Sequence, residues 1–267
     1  MQEDLSIAKK ILGQHWLRDP EALNKITDMA DISSSDTVLE IGPGLGSLTE
    51  ILIKHAKSVI AVELDRSLGG EINKRFGNEP KLRIVYQDIR KYDLGNLPLG
   101  YKVVANIPYY LTSYLIRLLS QAVNPPEVAV LLVQREVALR LSAPPGKLSL
   151  LGVTAQLYWD IELGSIIPAE LFIPPPKVDS QIVKLTRKQN QLVNNDLKRT
   201  LFQILKISFN QKRKTLVNSL SSGLRLNKTE VGGFLNTSGL NESIRPQQLS
   251  IEQWLNLAAI VQKRHLK

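Results

Sequence analysis

The stretch Val38-Leu-Glu-Ile-Gly-Pro-Gly-Leu-Gly-Ser-Leu-Thr49 constrains this chain more than any other feature. An apolar run ends at Gly42. Gly44 and Gly46 follow, and then a helical pattern begins in which Leu48, Ile51 and Leu52 share a face. Glycine lets a backbone approach a ligand closely, and the helix behind the turn offers unpaired N–H groups. A second apolar run, Val59-Ile-Ala-Val62, ends in Glu63, 21 residues after Gly42. An α/β nucleotide-binding fold places the acid that holds a ribose at about that distance. The pattern predicts an adenosine-containing cofactor.

The choice among such cofactors turns on two residues. Ser47 stands where the dinucleotide fingerprint has its third glycine, and Glu40 lies beside the first. A carboxylate there would repel a pyrophosphate, but it suits a ligand that carries an ammonium and a sulfonium, as S-adenosylmethionine does. A methyltransferase is the leading reading of this motif. A dinucleotide enzyme and a glycine turn without a ligand are the alternatives.

With 267 residues, the chain is long enough for one large core and an appendage. No apolar run reaches the ~18 residues that a bilayer span needs, and the polar, acidic start does not read as a signal peptide. The absence of Cys excludes disulfides and thiolate chemistry. His15, His55 and His265 are too far apart in sequence to suggest a zinc site, so no metal is expected. The expectation is a cytoplasmic monomer with no membrane contact. Charge is uneven along the chain. Residues 184–267 carry 15 Lys and Arg against 4 Asp and Glu, whereas residues 1–183 carry 19 against 21. A near-neutral half joined to a basic one suggests a polyanionic partner, with a solvated basic surface as the alternative.

Up to about residue 140, strand-like and helix-like patterns alternate. The strands are Val38–Ile41, Val59–Glu63, Leu82–Tyr86, Lys102–Ala105 and Val128–Val133. Alternation of this kind predicts a doubly wound parallel sheet with helices on both faces. Ser113–Leu119 reads as a helix with Thr112 as its N-cap, and Arg135–Leu141 reads as another. Gly152–Trp159 and Ser180–Leu185 read as two further strands, separated by the turn Pro174-Pro-Pro176. They are expected to form an antiparallel hairpin at the sheet edge. The polar run Gln189–Asn195 reads as a boundary, dividing residues 1–188 from a small all-helical domain at 189–267. Leu197, Leu201, Ile204 and Leu205 make one apolar stripe there, and Leu216, Val217 and Leu220 make another. Ser250 and Gln253 form a capping box for the last helix, with Leu249 and Trp254 as a hydrophobic staple.

The fourth strand runs into Asn106-Ile-Pro-Tyr109, at the end of the sheet where ligands bind in such folds. An adenine amine is a poor nucleophile because its lone pair is delocalised into the ring. An Asn carbonyl and a backbone carbonyl can accept its two hydrogens, which draws the nitrogen toward sp³ geometry. Pro108 fixes the turn, and Tyr109 can stack on the base. The competing reading is an ordinary strand exit with turn residues.

Five ordered segments carry a resemblance. They are Leu12-Gly-Gln-His-Trp-Leu17, Glu40-Ile-Gly-Pro-Gly-Leu-Gly46, Asn106-Ile-Pro-Tyr-Tyr110, Phe172-Ile-Pro-Pro-Pro-Lys-Val-Asp-Ser180 and Phe209-Asn-Gln-Lys-Arg-Lys-Thr215. From about residue 9 onward, the chain resembles the ribosomal RNA adenine dimethyltransferases, specifically the branch acting on two adjacent adenines of the small subunit. The resemblance implies S-adenosylmethionine as cofactor and a small ribosomal subunit precursor as partner. It implies that His15 and Leu17 contact the methionine part of the cofactor, with Gly42 against it. It further implies that Glu63 binds the ribose and Asp88 the cofactor's adenine amine. Asn106 would border cofactor and target base, and Tyr109 and Phe172 would sandwich the flipped adenine. The motif at Lys212, Arg213 and Lys214 is expected to contact RNA phosphates. Two departures stand out: the family usually has Asn-Phe where this chain has His15-Trp16, and the segment Ala143–Ser149 is shorter than usual. A large-subunit adenine methyltransferase and a non-enzymatic assembly factor are the alternatives.

Overall fold

The computed structural model describes residues 14–189 and 195–265. Leu12, Gly13, the acidic start and residues 190–194 of the expected linker lie outside the described residues. The chain divides into two compact units, residues 1–139 with 159–187, and residues 140–158 with 188–267.

The first unit is built on a seven-stranded sheet. Its strands are β2 (Thr37–Ile41), β3 (Ser58–Glu63), β4 (Leu82–Tyr86), β5 (Lys102–Asn106), β6 (Val128–Gln134), β7 (Trp159–Ile167) and β9 (Ser180–Arg187), in the order β4-β3-β2-β5-β6-β9-β7. The first five are parallel, whereas β9 runs antiparallel to both β6 and β7. β2, β5 and β6 are nearly continuous apolar runs, as befits strands covered on both faces. A separate two-stranded sheet pairs β1 (Trp16–Leu17) with β8 (Phe172–Ile173), placing Leu17 opposite Phe172.

Helix α1 (Pro20–Ala30) starts where its sequence says it should. Asp19 accepts the Ala22 N–H at 2.8 Å, and Pro20 occupies the first turn. Its buried face, Leu23, Ile26 and Ala30, joins Val38, Leu52, Val104 and Val130 in one core. Helix α2 (Ser47–His55) follows the glycine turn, and α3 (Gly69–Phe76) follows β3.

Two local expectations are corrected. Thr112 does not cap a helix from outside. α4 (Thr112–Gln121) grows directly out of a 3₁₀ turn at Tyr109–Leu111, so Thr112 is already helical and buried. Gly152–Trp159 is not a strand. Ser149 caps a helix, α6 (Leu150–Tyr158), by accepting the Gly152 N–H at 3.1 Å. The edge hairpin exists, but its first strand is Trp159–Ile167. Between β6 and this segment lies α5 (Arg135–Leu141).

The second unit is helical: α6, α7 (Asn195–Asn210), α8 (Leu216–Leu224), α9 (Lys228–Thr237) and α10 (Ile251–His265). Leu201, Ile204, Leu205, Leu216, Leu220, Leu235 and Trp254 share one core, which Leu148 and Val153 also enter. Residues 140–158 therefore belong to this unit, ahead of the boundary expected at 189. The capping box of α10 is formed: the Ser250 N–H donates to Gln253 at 2.9 Å, and the Gln253 N–H donates to the Ser250 hydroxyl at 3.2 Å. Leu249 and Trp254 are both fully buried in the shared core, consistent with the staple. Among the described residues, no helix is long and apolar enough to cross a membrane.

Candidate active site

A cavity opens at the carboxyl ends of β2, β3, β4 and β5, where the strand order reverses across the sheet. Its wall includes His15, Leu17, Glu40, Gly42, Glu63, Asp88, Asn106, Pro108 and Tyr109. Residues from five segments of the first unit thus converge on one space.

The glycine turn supplies its floor. The Gly42 N–H donates to the Val62 carbonyl at 2.9 Å, which ties the turn to β3. Gly42 has φ +71°, and a Cβ built on it would meet nothing within 4 Å. The space beside it is therefore open to a ligand. Gly46 is required for a different reason: it has φ +82° at the start of α2, and a Cβ there would lie 2.3 Å from the Phe76 ring.

Two buried carboxylates face the turn. One oxygen of Glu63 accepts the Gly44 N–H at 3.1 Å, and the other accepts the Asp65 N–H at 2.8 Å. Burial pushes the Glu63 carboxyl upward, while these backbone donors oppose the shift. Glu40 is 1% exposed, and its Oε2 has no hydrogen-bond partner. Burial, with the Glu63 charge adding to it, raises its carboxyl to about 8. An orphaned acidic oxygen in a cavity wall fits a cationic ligand group better than a pyrophosphate, in line with the reading of Glu40 from sequence.

Asp88 follows β4 and does two things. It caps a 3₁₀ turn by accepting the Arg90 N–H at 2.9 Å, and it accepts from the Arg90 guanidinium at 2.8 and 2.5 Å. That guanidinium holds its carboxyl below the usual range. Both features leave it on the cavity wall.

Asn106 ends β5. Its Nδ2 donates to the His15 carbonyl at 3.2 Å, which orients the amide and leaves Oδ1 as the acceptor available to a ligand. The His15 ring donates from Nδ1 to the Pro174 carbonyl at 2.7 Å and stacks on Tyr109 with ring centroids 5.8 Å apart. The Tyr109 hydroxyl is paired with Ser180 at 2.8 Å. Burial pushes the Tyr109 phenol upward. Leu17 is 3% exposed and reaches the cavity beside His15.

Four expected site residues lie outside the cavity wall. Phe172 does not line the cavity. Its side chain is 1% exposed and packs in the core with Leu17, Ile182 and Val130, because β8 is held against β1. In this conformation it has no open face for a base, and the ring that lies against Tyr109 is His15. Lys212, Arg213 and Lys214 are exposed in the turn between α7 and α8 of the second unit. Sequence reasoning missed Arg90 and Tyr110, which also line the cavity. Tyr110 was within sight, since it directly follows the Asn-Ile-Pro-Tyr turn.

Sheet, glycine turn and paired carboxylates together define an S-adenosylmethionine-dependent methyltransferase of the Rossmann-like class. Residues 6–263 match the model of the ribosomal RNA adenine dimethylase family, and the chain belongs to that family. It is an enzyme that takes methyl groups from S-adenosylmethionine, and ribosomal RNA is its partner. A relative in Dehalococcoides mccartyi, a ribosomal RNA small subunit methyltransferase A, is 42% identical over 258 residues, covering 95% of this chain and 88% of its own. A protein of the same description in Bacillus pumilus is 35% identical over 267 residues, covering 96% and 91%. Among solved structures, a dimethyladenosine transferase from Plasmodium falciparum superposes with TM-score 0.78 at 30% identity, covering 93% of this chain and 98% of its own. The 23S rRNA methyltransferase ErmE superposes with TM-score 0.74 at 26% identity, covering 92% and 98%.

Proposed function

We propose that this chain methylates the exocyclic amines of two adjacent adenines near the 3′ end of small-subunit ribosomal RNA, producing N6,N6-dimethyladenine during subunit assembly. The observation that carries the reading is the Asn106 amide, tethered through Nδ2 with its acceptor oxygen available in a cavity that also holds Glu63 and Asp88. A strand exit with ordinary turn residues has no need of that arrangement. The relatives named above as small-subunit enzymes favour that subunit over the large one.

S-adenosylmethionine supplies an electrophilic methyl group. Every other task falls to the protein. Glu63 would receive the ribose hydroxyls on the lone pairs that Gly44 and Asp65 leave available. Asp88 would accept the cofactor's adenine amine. Gly42, His15 and Leu17 would line the methionine end, with the unpartnered Oε2 of Glu40 accepting from its ammonium. The Asn106 Oδ1 and a backbone carbonyl of the following turn would accept the two amine hydrogens of the target, aiming the nitrogen lone pair at the methyl group. Pro108 would hold that turn and Tyr109 would stack on the base. The proton leaves readily once the nitrogen is cationic, so no general base is required. Lys212, Arg213 and Lys214 would contact phosphates. The substrate would be a subunit precursor, met in the cytoplasm by a monomer of this chain.

The reading is tested by offering isolated small and large subunits, both lacking adenine methylation, together with labelled S-adenosylmethionine. Label is expected in small-subunit RNA only. Label in large-subunit RNA alone would replace this reading by the large-subunit one.

A further inference from the structure

Next to the cavity mouth, the first unit carries a basic and aromatic track that the reaction itself does not use. Tyr110 lines the cavity, yet it is 63% exposed. Tyr114 and Arg117 stand three residues apart on α4, the spacing that brings side chains onto one helical face, and Tyr110 lies in the 3₁₀ turn from which α4 grows. The Arg117 guanidinium lies over the Tyr114 ring, 5.4 Å from its centroid. Exposed Arg90 sits on the cavity wall beside Tyr110, with its guanidinium paired to Asp88. No Asp or Glu occurs between residues 94 and 126, so nothing along α4 opposes an anion. A protein needs neither a large exposed phenol at a cavity rim nor an arginine parked on a tyrosine for stability alone, because both are solvated.

We infer that Tyr110, Tyr114 and Arg117 form a platform for single-stranded RNA, which holds the nucleotide next to the adenine being methylated. Stacking needs a free aromatic face, which Tyr110 offers, and the backbone beside a splayed base needs a cation, which Arg117 offers. A flipped adenine has lost its own stacking neighbours. Holding the adjacent base at the rim would keep the strand in place while the amine is in the cavity. The platform rests on the proposed RNA substrate. It adds a second recognition element in the first unit, separate from Lys212, Arg213 and Lys214.

The test measures binding to two probes, protein-free small-subunit ribosomal RNA and unmethylated small subunits, for four variants. Tyr110→Ala is expected to weaken both by about tenfold, with cofactor affinity within about twofold of wild type and an unchanged Tm. Tyr110→Phe is expected to bind like wild type, because the ring and not the hydroxyl does the stacking. Arg117→Gln is expected to make the salt dependence shallower by about one unit of slope, while Arg117→Lys preserves it. Unchanged affinity in Tyr110→Ala, or a Phe variant as weak as the Ala variant, would overturn the platform. Weakening with whole subunits but not with stripped RNA would also overturn it, by assigning the surface to a ribosomal protein. A wild-type chain that binds neither probe would contradict the substrate reading, and the platform with it.

Discussion

At the scale of single residues, the buried carboxylates bear most of the burden. Glu63 serves the proposed ribose site and also pins the glycine turn through Gly44. Glu63→Gln, which keeps the shape and loses the charge, is expected to weaken cofactor binding roughly tenfold, since a hydrogen bond to a charged group contributes ~1.5–3 kcal/mol. Calorimetric titration checks this, and unchanged affinity would remove Glu63 from the site. Glu40 gives a stability signature. Its folded carboxyl stands at about 8 against an ordinary value of 4.5, so the folded state binds the extra proton between those limits. Its contribution to stability is therefore fully present below about pH 4.5 and is lost as pH rises toward 8. Relative to Glu40→Gln, the wild type should lose up to about 1.4 kcal/mol per pH unit across that window. Urea unfolding of both proteins at pH 6 and pH 8 reads the difference, and parallel curves would mean that Glu40 is not buried as a neutral acid. Asn106 and Glu63 were legible in the sequence, because strand ends in an alternating fold fall at a ligand crevice, whereas Asp88 was reached only through the family resemblance. Arg90 was not legible, since its pairing with Asp88 depends on the 3₁₀ turn that brings two nearby residues face to face. The burial of Phe172 was not legible either. It follows from the pairing of two short strands far apart in the chain, Leu17 lying opposite Phe172, and no local pattern announces such a pairing.

At the scale of elements, the parallel strands could be read from their apolar runs, and the last helix from its cap. The segment Leu150–Tyr158 could not. Its helix buries Gly152, Val153, Thr154, Ala155 and Tyr158, so it shows no polar stripe, and its valine, threonine and aromatics read as strand. The alternation that marks the true edge strand begins only at Trp159. The turn that positions the cofactor is sensitive at one glycine. Gly46→Ala sets a Cβ against Phe76 at a positive φ, and is expected to lower stability by about 1–3 kcal/mol. Phe76→Leu in the same chain should recover the packing part alone, leaving the backbone cost. Chemical denaturation of the single and double variants measures both, and a Gly46→Ala chain as stable as wild type would contradict the packing described.

At the scale of the whole molecule, charge divides along the sequence in a way that composition already revealed. The excess of basic residues lies beyond residue 183, and Lys212, Arg213 and Lys214 are its densest run. All three are exposed, so their joint replacement by Ala should leave Tm unchanged. If they contact phosphate, the triple variant should bind the small subunit with a shallower salt dependence and keep its cofactor affinity. An unchanged slope with a lowered Tm would assign them a structural role.

The central claim is that the oriented Asn106 amide directs dimethylation of adenine. It is tested most directly by reacting unmethylated small subunits with labelled S-adenosylmethionine, digesting the RNA and identifying the labelled nucleoside, for wild type and for Asn106→Ala. The account predicts N6,N6-dimethyladenosine from the wild type, and turnover at least tenfold lower in the variant with RNA affinity nearly intact. Label in any nucleoside other than a methylated adenosine, or variant turnover within about threefold of wild type, would contradict it.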